Sequence, residues 1–273
     1  LLKISWVREG WAYARFDKYQ GYVQSKYLVQ FDTIDPYAGP VPGVVIYPHA
    51  VTLRCATKIY DAQTKSKVLF TMPAGSVVCA EAEDGEGWMQ VPYMKVKGVF
   101  KAENVHFTEK VVPWAEAQPG DLVSTFSTFF PLGKSNKLII GRVYNIYLSC
   151  AMLMGLRLDV NEDFSLNGII GPYKKATGYR PAPIASQTAT QGYGGGTCQT
   201  STTLYNTLLQ VPILVTKRQV HSSQGAKYAP VGFDAAVGSG DRDTRYRNTL
   251  PYPIRMAYFV SDGVMTYNLY RAE

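Results

Sequence analysis

An internal repeat organises the first 107 residues of this 273-residue chain. EGWAYARFDKYQGYVQSKYL (Glu9 to Leu28) aligns without gaps on EGWMQVPYMKVKGVFKAENV (Glu86 to Val105), 77 positions further on. Segments that match this closely are expected to fold alike. Each reads as a strand with Trp11 or Trp88, a short hairpin, a second strand starting at Gly21 or Gly98, and a closing turn. Before the second copy lie further strand-like runs, Val51 to Cys55, Lys67 to Met72 and Ser76 to Glu81, with the turn PAGS (Pro73 to Ser76) between two of them. The first copy lacks this front half, which would leave sheet edges open, so residues upstream of Leu1 are expected to complete it. Two stretches read as linkers: DTIDPYAGPVPG (Asp32 to Gly43) and VVPWAEAQPGD (Val111 to Asp121).

The second constraint is GYGGGTCQTSTTLYN, residues 192 to 206. Gly192, Gly194, Gly195 and Gly196 permit a sharp turn or a close approach to a ligand just before Cys198. The cysteine then opens a helix with Leu204, Leu208 and Leu209 on one face, and Thr197, Gln199, Thr200 and Ser201 supply capping-type side chains. A thiol at that position meets the positive end of the helix dipole, which favours thiolate. His221 follows a strand-like run (Ile213 to Val220), and Asp234 lies 13 residues later in VGFDAAV, flanked by apolar residues as on another strand. Cysteine at a helix start, then histidine, then acid is the order used by papain-like and transglutaminase-like enzymes, where the histidine takes the thiol proton and the acid orients the histidine. The opposing reading is that Cys198 fills space, as most helical cysteines do. The glycine loop and helix start would then cradle a carboxylate without turnover.

Val143, Ile146, Tyr147, Cys150, Leu153 and Met154 recur at helical spacing and predict an amphipathic helix ended by Gly155, with Cys150 on its packing face. Arg245, Arg247 and Asn248 form a polar cluster suited to holding a carboxylate through a bidentate arginine, and equally to an internal ion pair. Trp11 and Trp88 are expected in the cores of their modules. The tyrosines at 13, 19, 22, 27, 47, 60 and 93 are the better candidates for ligand contact. Cys55 and Cys79 are placed to pair within one small domain or to remain free buried thiols. Three separated histidines without paired cysteines form no recognised zinc pattern, and the glycine stretch lacks the Gly-Lys-Ser/Thr ending of a phosphate loop. Neither a metal nor another cofactor is implied.

A net charge of +7 favours acidic partners. Bacterial cell wall ranks above nucleic acid, because the chain has neither a Lys/Arg run nor a nucleic-acid motif. No stretch reaches the roughly 18 apolar residues of a membrane span. There is no Met start and no signal-like N-terminus, so an export segment or anchor is expected upstream.

Several blocks, in order, resemble the VanW domain, named from an accessory protein of vancomycin-type glycopeptide resistance clusters. They are STFSTFF (Ser124 to Phe130), RVYNIYLSCAMLMGL (Arg142 to Leu156), EDFSLNGIIGPY (Glu162 to Tyr173), GYRPAP (Gly178 to Pro183), GGGTCQTSTTLYN, VHS (Val220 to Ser222), FDAAV (Phe233 to Val237) and DTRYRNTLPYPI (Asp243 to Ile254). The repeat units, in turn, are similar to bacterial SH3-like modules, small β-barrels of exported wall proteins. The resemblances imply a multidomain envelope protein, with small all-β SH3-like barrels followed by an α+β VanW-like domain. The expected boundaries are 1–31 for a partial SH3-like module, 44–110 for a complete one and 121–273 for the VanW-like domain. The expected function is that of an exported, extracellular, wall-associated protein. Its barrels bind peptidoglycan, and its Cys198, His221 and Asp234 perform acyl transfer on stem peptides as a peptidase or transpeptidase. Gly194, Gly195, Gly196, Gln199, Arg245, Arg247 and Asn248 are the expected substrate contacts. The alternative is a protein that binds peptidoglycan or its precursors without catalysis.

Overall fold

The computed structural model describes residues 3–8, 10–16, 19–28, 44–83, 85, 87–133, 135–184, 190–221, 225–230 and 232–273. Cα packing divides the chain into two compact units, Leu1–Asp35 and Pro36–Glu273. The expected linker Asp32 to Gly43 lies outside the described residues, as do Ser222, Ser223 and Gln224.

The first unit is an antiparallel meander of β1 (Lys3–Arg8), β2 (Trp11–Phe16) and β3 (Tyr19–Gln24), closed by a 3-10 turn at Ser25–Tyr27. Strand alternation places Ala12 and Ala14 on the buried face. Trp11 therefore stands on the opposite face and is 45% exposed, which corrects the expectation of a core tryptophan. Tyr13 and Tyr22 pair there with ring centroids 5.2 Å apart.

The second unit begins with β4 (His49–Leu53), β5 (Thr57–Asp61), β6 (Val68–Met72), β7 (Val77–Ala82), β8 (Trp88–Tyr93), β9 (Val96–Lys101) and β10 (Val105–Lys110). The repeat holds end for end. β2, β3 and their 3-10 turn correspond residue by residue to β8, β9 and the turn Ala102–Asn104, and Trp11 opposite Gln24 becomes Trp88 opposite Lys101. In the second copy Met89 and Val91 face the core. Trp88 lies partly buried on the outer face, edge-on to Tyr60 and under the Lys101 ammonium at 3.8 Å, so it too is not a core residue. The seven strands run in the order β10-β4-β7-β8-β9-β5-β6, and no closed barrel is found among the described residues. All four cysteines are free, so the Cys55–Cys79 pairing does not occur; the Cys55 thiol donates instead to Asn104 Oδ1 at 3.4 Å.

Residues 111–121, expected as a linker, are packed: Ala117 is 1% exposed, Val112 and Trp114 rest on the following core, and Tyr252 donates to the Trp114 carbonyl at 2.7 Å. The turn-forming prolines and Gly120 signalled a connection, but the apolar residues between them anchor it.

After this segment come β11 (Leu122–Phe129), α1 (Lys137–Met152), β12 (Arg157–Leu158), β13 (Asp163–Ser165), α2 (Leu166–Ile170), β14 (Pro181–Pro183), β15 (Gln191–Tyr193), α3 (Thr197–Leu208), β16 (Ile213–Lys217), β17 (Arg245–Asn248), β18 (Ile254–Ser261) and β19 (Val264–Arg271). They build a four-stranded sheet β11-β19-β18-β12, a three-stranded sheet β13-β17-β16 and the small pair β14-β15. The chain as a whole is β-rich, with few helices and several separate sheets. None of its helices among the described residues is long and apolar enough to cross a membrane.

Strand β11 is buried along its whole length because both faces are covered. On one side Phe129 packs against Phe70 and Tyr93, and Ser127 Oγ accepts the Cys79 N–H at 2.8 Å. On the other, α3 and the turn after it reach across: Thr128 and Thr203 hydroxyls lie 2.7 Å apart, and Gln210 donates to the Thr125 carbonyl at 2.8 Å. Buried hydroxyls in such a strand cost free energy unless bonded, and Ser124 Oγ is left without a partner among the described residues. Thr125 and Ser127 find partners in Asn268 and Thr266 of β19, both at 2.7 Å.

Candidate active site

The site is carried by α3, a helix that is polar yet almost wholly enclosed. Thr200, Ser201, Thr202 and Thr203 are all 0% exposed, and Asn206 and Gln210 are 3% exposed. Such a helix is stable only if its side chains bond to its surroundings. Ser149 and Thr200 hydroxyls lie 2.8 Å apart across the α1–α3 contact. Thr202 Oγ1 accepts the Ala235 N–H at 3.0 Å, and Asn206 Nδ2 donates to the Phe233 carbonyl at 2.7 Å. These bonds draw residues 233–237 against the helix. That segment is extended but not a strand, contrary to expectation, because its backbone groups bond to α3 and to loops, as in Ala236 N–H to the Gln219 carbonyl at 2.8 Å.

The space around the glycines excludes any side chain there. A Cβ on Gly194, at φ +82°, would sit 2.7 Å from the Tyr173 ring; on Gly195, 2.3 Å from the Pro183 carbonyl oxygen; and on Gly196, at φ +111°, 2.8 Å from the Arg142 carbonyl oxygen. Asn145 secures the turn from below by donating to the carbonyls of Arg180 and Gly195 at 2.9 and 3.0 Å. The N-cap is Gly196, and no side chain caps the helix; Thr197 Oγ1 turns back to the Gly194 carbonyl at 2.8 Å instead. Cys198 thus stands in the first turn, where helix geometry leaves its N–H without an intrahelical acceptor.

Cys198, His221 and Asp234 are brought together. Asp234 is 1% exposed, and its Oδ2 accepts both the His221 ring Nδ1–H at 2.6 Å and the His221 backbone N–H at 2.9 Å. Cys198 lies near enough to the ring to raise the imidazole pKa. With Nδ1 held by the carboxylate, Nε2 is the nitrogen left for the sulfur. The Cys198 thiol, half-buried, donates to the Val237 carbonyl at 3.2 Å, which fixes its rotamer. Burial, the largest influence on His221, lowers its pKa. The hydrogen bond to Asp234, with the influence of Cys198 and the Asp234 charge added, outweighs it and raises the value to about 9. For Asp234, burial pushes its pKa up, but His221 and Arg218 hold it below the ordinary carboxylate range. Arg218 donates to the Asp234 and Gly232 carbonyls at 2.8 and 2.5 Å, with its guanidinium over the Tyr205 ring.

The remaining expected contacts separate from this centre. Gln199 is 1% exposed and fully committed: Nε2 donates to Thr128 Oγ1 and the Phe129 carbonyl, both at 2.9 Å, and Oε1 accepts from Arg142 Nη2 at 2.6 Å. Asn248 is 0% exposed and ties together the carbonyls of Leu158, Asp159 and Tyr252. Both side chains are buried. Arg245 and Arg247 are exposed but paired, with Asp243 at 2.7 Å and bidentately with Asp163 at 3.0 and 2.7 Å. Together with Asp163, Phe164, Ser165 and Thr216 they line a groove of about 390 Å³ that includes none of Cys198, His221 and Asp234.

Three further residues surround the cluster: Tyr228, with its ring centroid 6.5 Å from that of His221, Tyr173, against Gly194, and Arg142, bonded to Gln199. Tyr228 has its phenol pKa raised, first by burial and then by the nearby Cys198 charge; Tyr173 is raised by burial, with Tyr179 and Cys198 adding to it. Arg142, on α1, has its pKa lowered by burial, opposed by the charges of Tyr228 and Cys198. Arg142 falls within a block already singled out, yet nothing in its helical spacing marks it as facing the thiol.

This polar helix and its glycine turn lie within residues 141–270, which match the family model described as VanW like protein. Among curated proteins, this chain is similar to YoaR of Bacillus subtilis (strain 168), described as uncharacterized. The two are 33% identical over 149 residues, which cover 54% of this chain and 47% of YoaR. The chain thus spans about half the length of that relative. No solved structure matches it significantly.

Proposed function

We propose that the chain is an exported, cell-wall-associated protein whose VanW-like domain performs cysteine-dependent acyl transfer on peptidoglycan stem peptides. The observation that carries this reading is the Cys198–His221–Asp234 constellation, in which a buried carboxylate holds an imidazole whose pKa is raised by the nearby, half-buried Cys198. His221 Nε2 takes the Cys198 proton, and the sulfur attacks the carbonyl carbon of a stem-peptide amide. The tetrahedral oxyanion forms next to the first turn of α3, where backbone N–H groups favour negative charge. Collapse breaks the C–N bond, His221 returns the proton to the leaving amine, and the acyl group remains on sulfur as a thioester. Water or the amine of a second stem then attacks, giving up its proton to His221 as the thiolate leaves. The two acceptors correspond to peptidase and transpeptidase outcomes. In this reading residues 1–31 and 44–110 are SH3-like modules that place residues 121–273 on the wall, and the exposed Trp11 and Tyr22 offer ring faces for sugars or stems.

The test compares wild type with Cys198→Ser on isolated wall. A variant that still sediments with the wall but no longer releases or exchanges stem peptides supports catalysis. Retained turnover removes Cys198 as nucleophile, and binding with no turnover in either protein leaves wall attachment alone.

A further inference from the structure

The guanidinium of Arg142 stands next to the first turn of α3 with no carboxylate partner among the described residues. Its main chain and Cγ lie against Gly196, 2.8 and 3.1 Å from where a Cβ would stand, so the arginine stem runs beneath the last glycine before α3. Its Nη2 donates to Gln199 Oε1 at 2.6 Å. Gln199 is locked in turn by the Thr128 hydroxyl and the Phe129 carbonyl, so the guanidinium is held in one orientation between the residues that flank Cys198. The other terminal nitrogen, Nη1, is shielded from solvent and has no acceptor among the described residues. A buried charged donor left unpaired is costly, and a carboxylate is the partner whose geometry fits it best. Arg245 and Arg247, by contrast, already hold aspartates.

We propose that Arg142 is the specificity-determining residue of the Cys198 site, its Nη1 receiving a carboxylate of the acyl donor so that donors with an anionic group near the reacting carbonyl are selected. This rests on Cys198 being a reactive thiol. Its function is recognition; Arg142 takes no proton and forms no bond to the acyl group.

Alkylation of Cys198 in the full chain, read by peptide mass spectrometry, tests this without any enzyme assay. Iodoacetate carries the carboxylate and iodoacetamide is its neutral counterpart. His221 contributes to any preference in the wild type, so the change on substitution is what counts. Arg142→Gln should lower the iodoacetate-to-iodoacetamide rate ratio about tenfold, the size of a charge-assisted hydrogen bond, while Arg142→Lys keeps most of it. An unchanged ratio with Cys198 still reactive overturns the proposal and leaves the nucleophile intact. Inertness to both reagents in wild type sinks the nucleophile and this assignment with it. Should Arg142→Gln fail to fold, protection in the wild type decides: acetate but not acetamide should slow iodoacetamide, and equal or absent protection rejects the carboxylate site.

Discussion

His221 and Asp234 are joined twice through a single oxygen: Asp234 Oδ2 accepts the ring Nδ1–H at 2.6 Å and the backbone N–H at 2.9 Å. The double attachment fixes the ring in position as well as in tautomer, since neither the loop nor the side chain can turn without breaking a bond to a carboxylate that is 1% exposed. Asp234→Asn should therefore drop the His221 pKa from about 9 toward or below its ordinary 6.5, because burial then acts against a weaker partner. An NMR titration of the imidazole reads it. A value that stays near 9 in the variant would show that the carboxylate is not what holds the proton.

The same pair gives stability a defined pH window. The folded-state pKa of His221 is raised, so its contribution is fully present below about 6.5 and is lost as pH rises through about 9. Asp234 is depressed, so its share is present above the ordinary carboxylate value of 3.8 and disappears only as pH falls through its lower folded value. Thermal unfolding of wild type should weaken between pH 6.5 and 9, and His221→Gln should flatten that slope. An equal slope in both proteins would assign it to other groups.

Gly196→Ala should destabilise the second unit by about 3 kcal/mol, combining backbone strain with overpacking. At φ +111° the new methyl meets the Arg142 carbonyl oxygen at 2.8 Å and Ile146 Cγ1 at 3.1 Å. Denaturant unfolding measures the loss. A change under about 0.5 kcal/mol, the range of harmless surface substitutions, would mean that the loop is not tightly packed on α1.

Phe129 is 1% exposed and links the two halves of the second unit, with ring centroids 5.5 Å from Phe70 and 5.3 Å from Tyr93. Phe129→Ala should cost about 3–5 kcal/mol. Hydrogen exchange should report that loss in β4–β9 as well as in β11 and β19. Weakened protection confined to one half would show two independently stable modules.

The repeat was the most legible part of the fold, because its strands, hairpin and turn are local features written twice, and Trp11 to Tyr27 corresponds to Trp88 to Asn104 without a slip. The facing of its tryptophans was not legible: large aromatics suggest a core, but the register buries Ala12 and Met89 instead. The pairing of His221 with Asp234, and Cys198 in the first turn of α3, were legible from residue type and order, since a thiol at a helix start followed by imidazole and acid is a chemical pattern. The mode of action of the glycines and Gln199 was hidden, because close packing and ligand contact use the same residues and only the neighbours Tyr173, Pro183 and Arg142 distinguish them. Arg142 was invisible for the same reason; its role depends on a contact across 57 positions with Gln199.

The most direct measurement of the central claim is intact-protein mass spectrometry after brief incubation with defined muropeptides. Wild type should gain the mass of an acyl group on Cys198, removed by hydroxylamine as a thioester is, while Cys198→Ala gains none. An adduct-free wild type together with unchanged muropeptides, or an adduct that persists in Cys198→Ala, would contradict covalent catalysis at this cysteine.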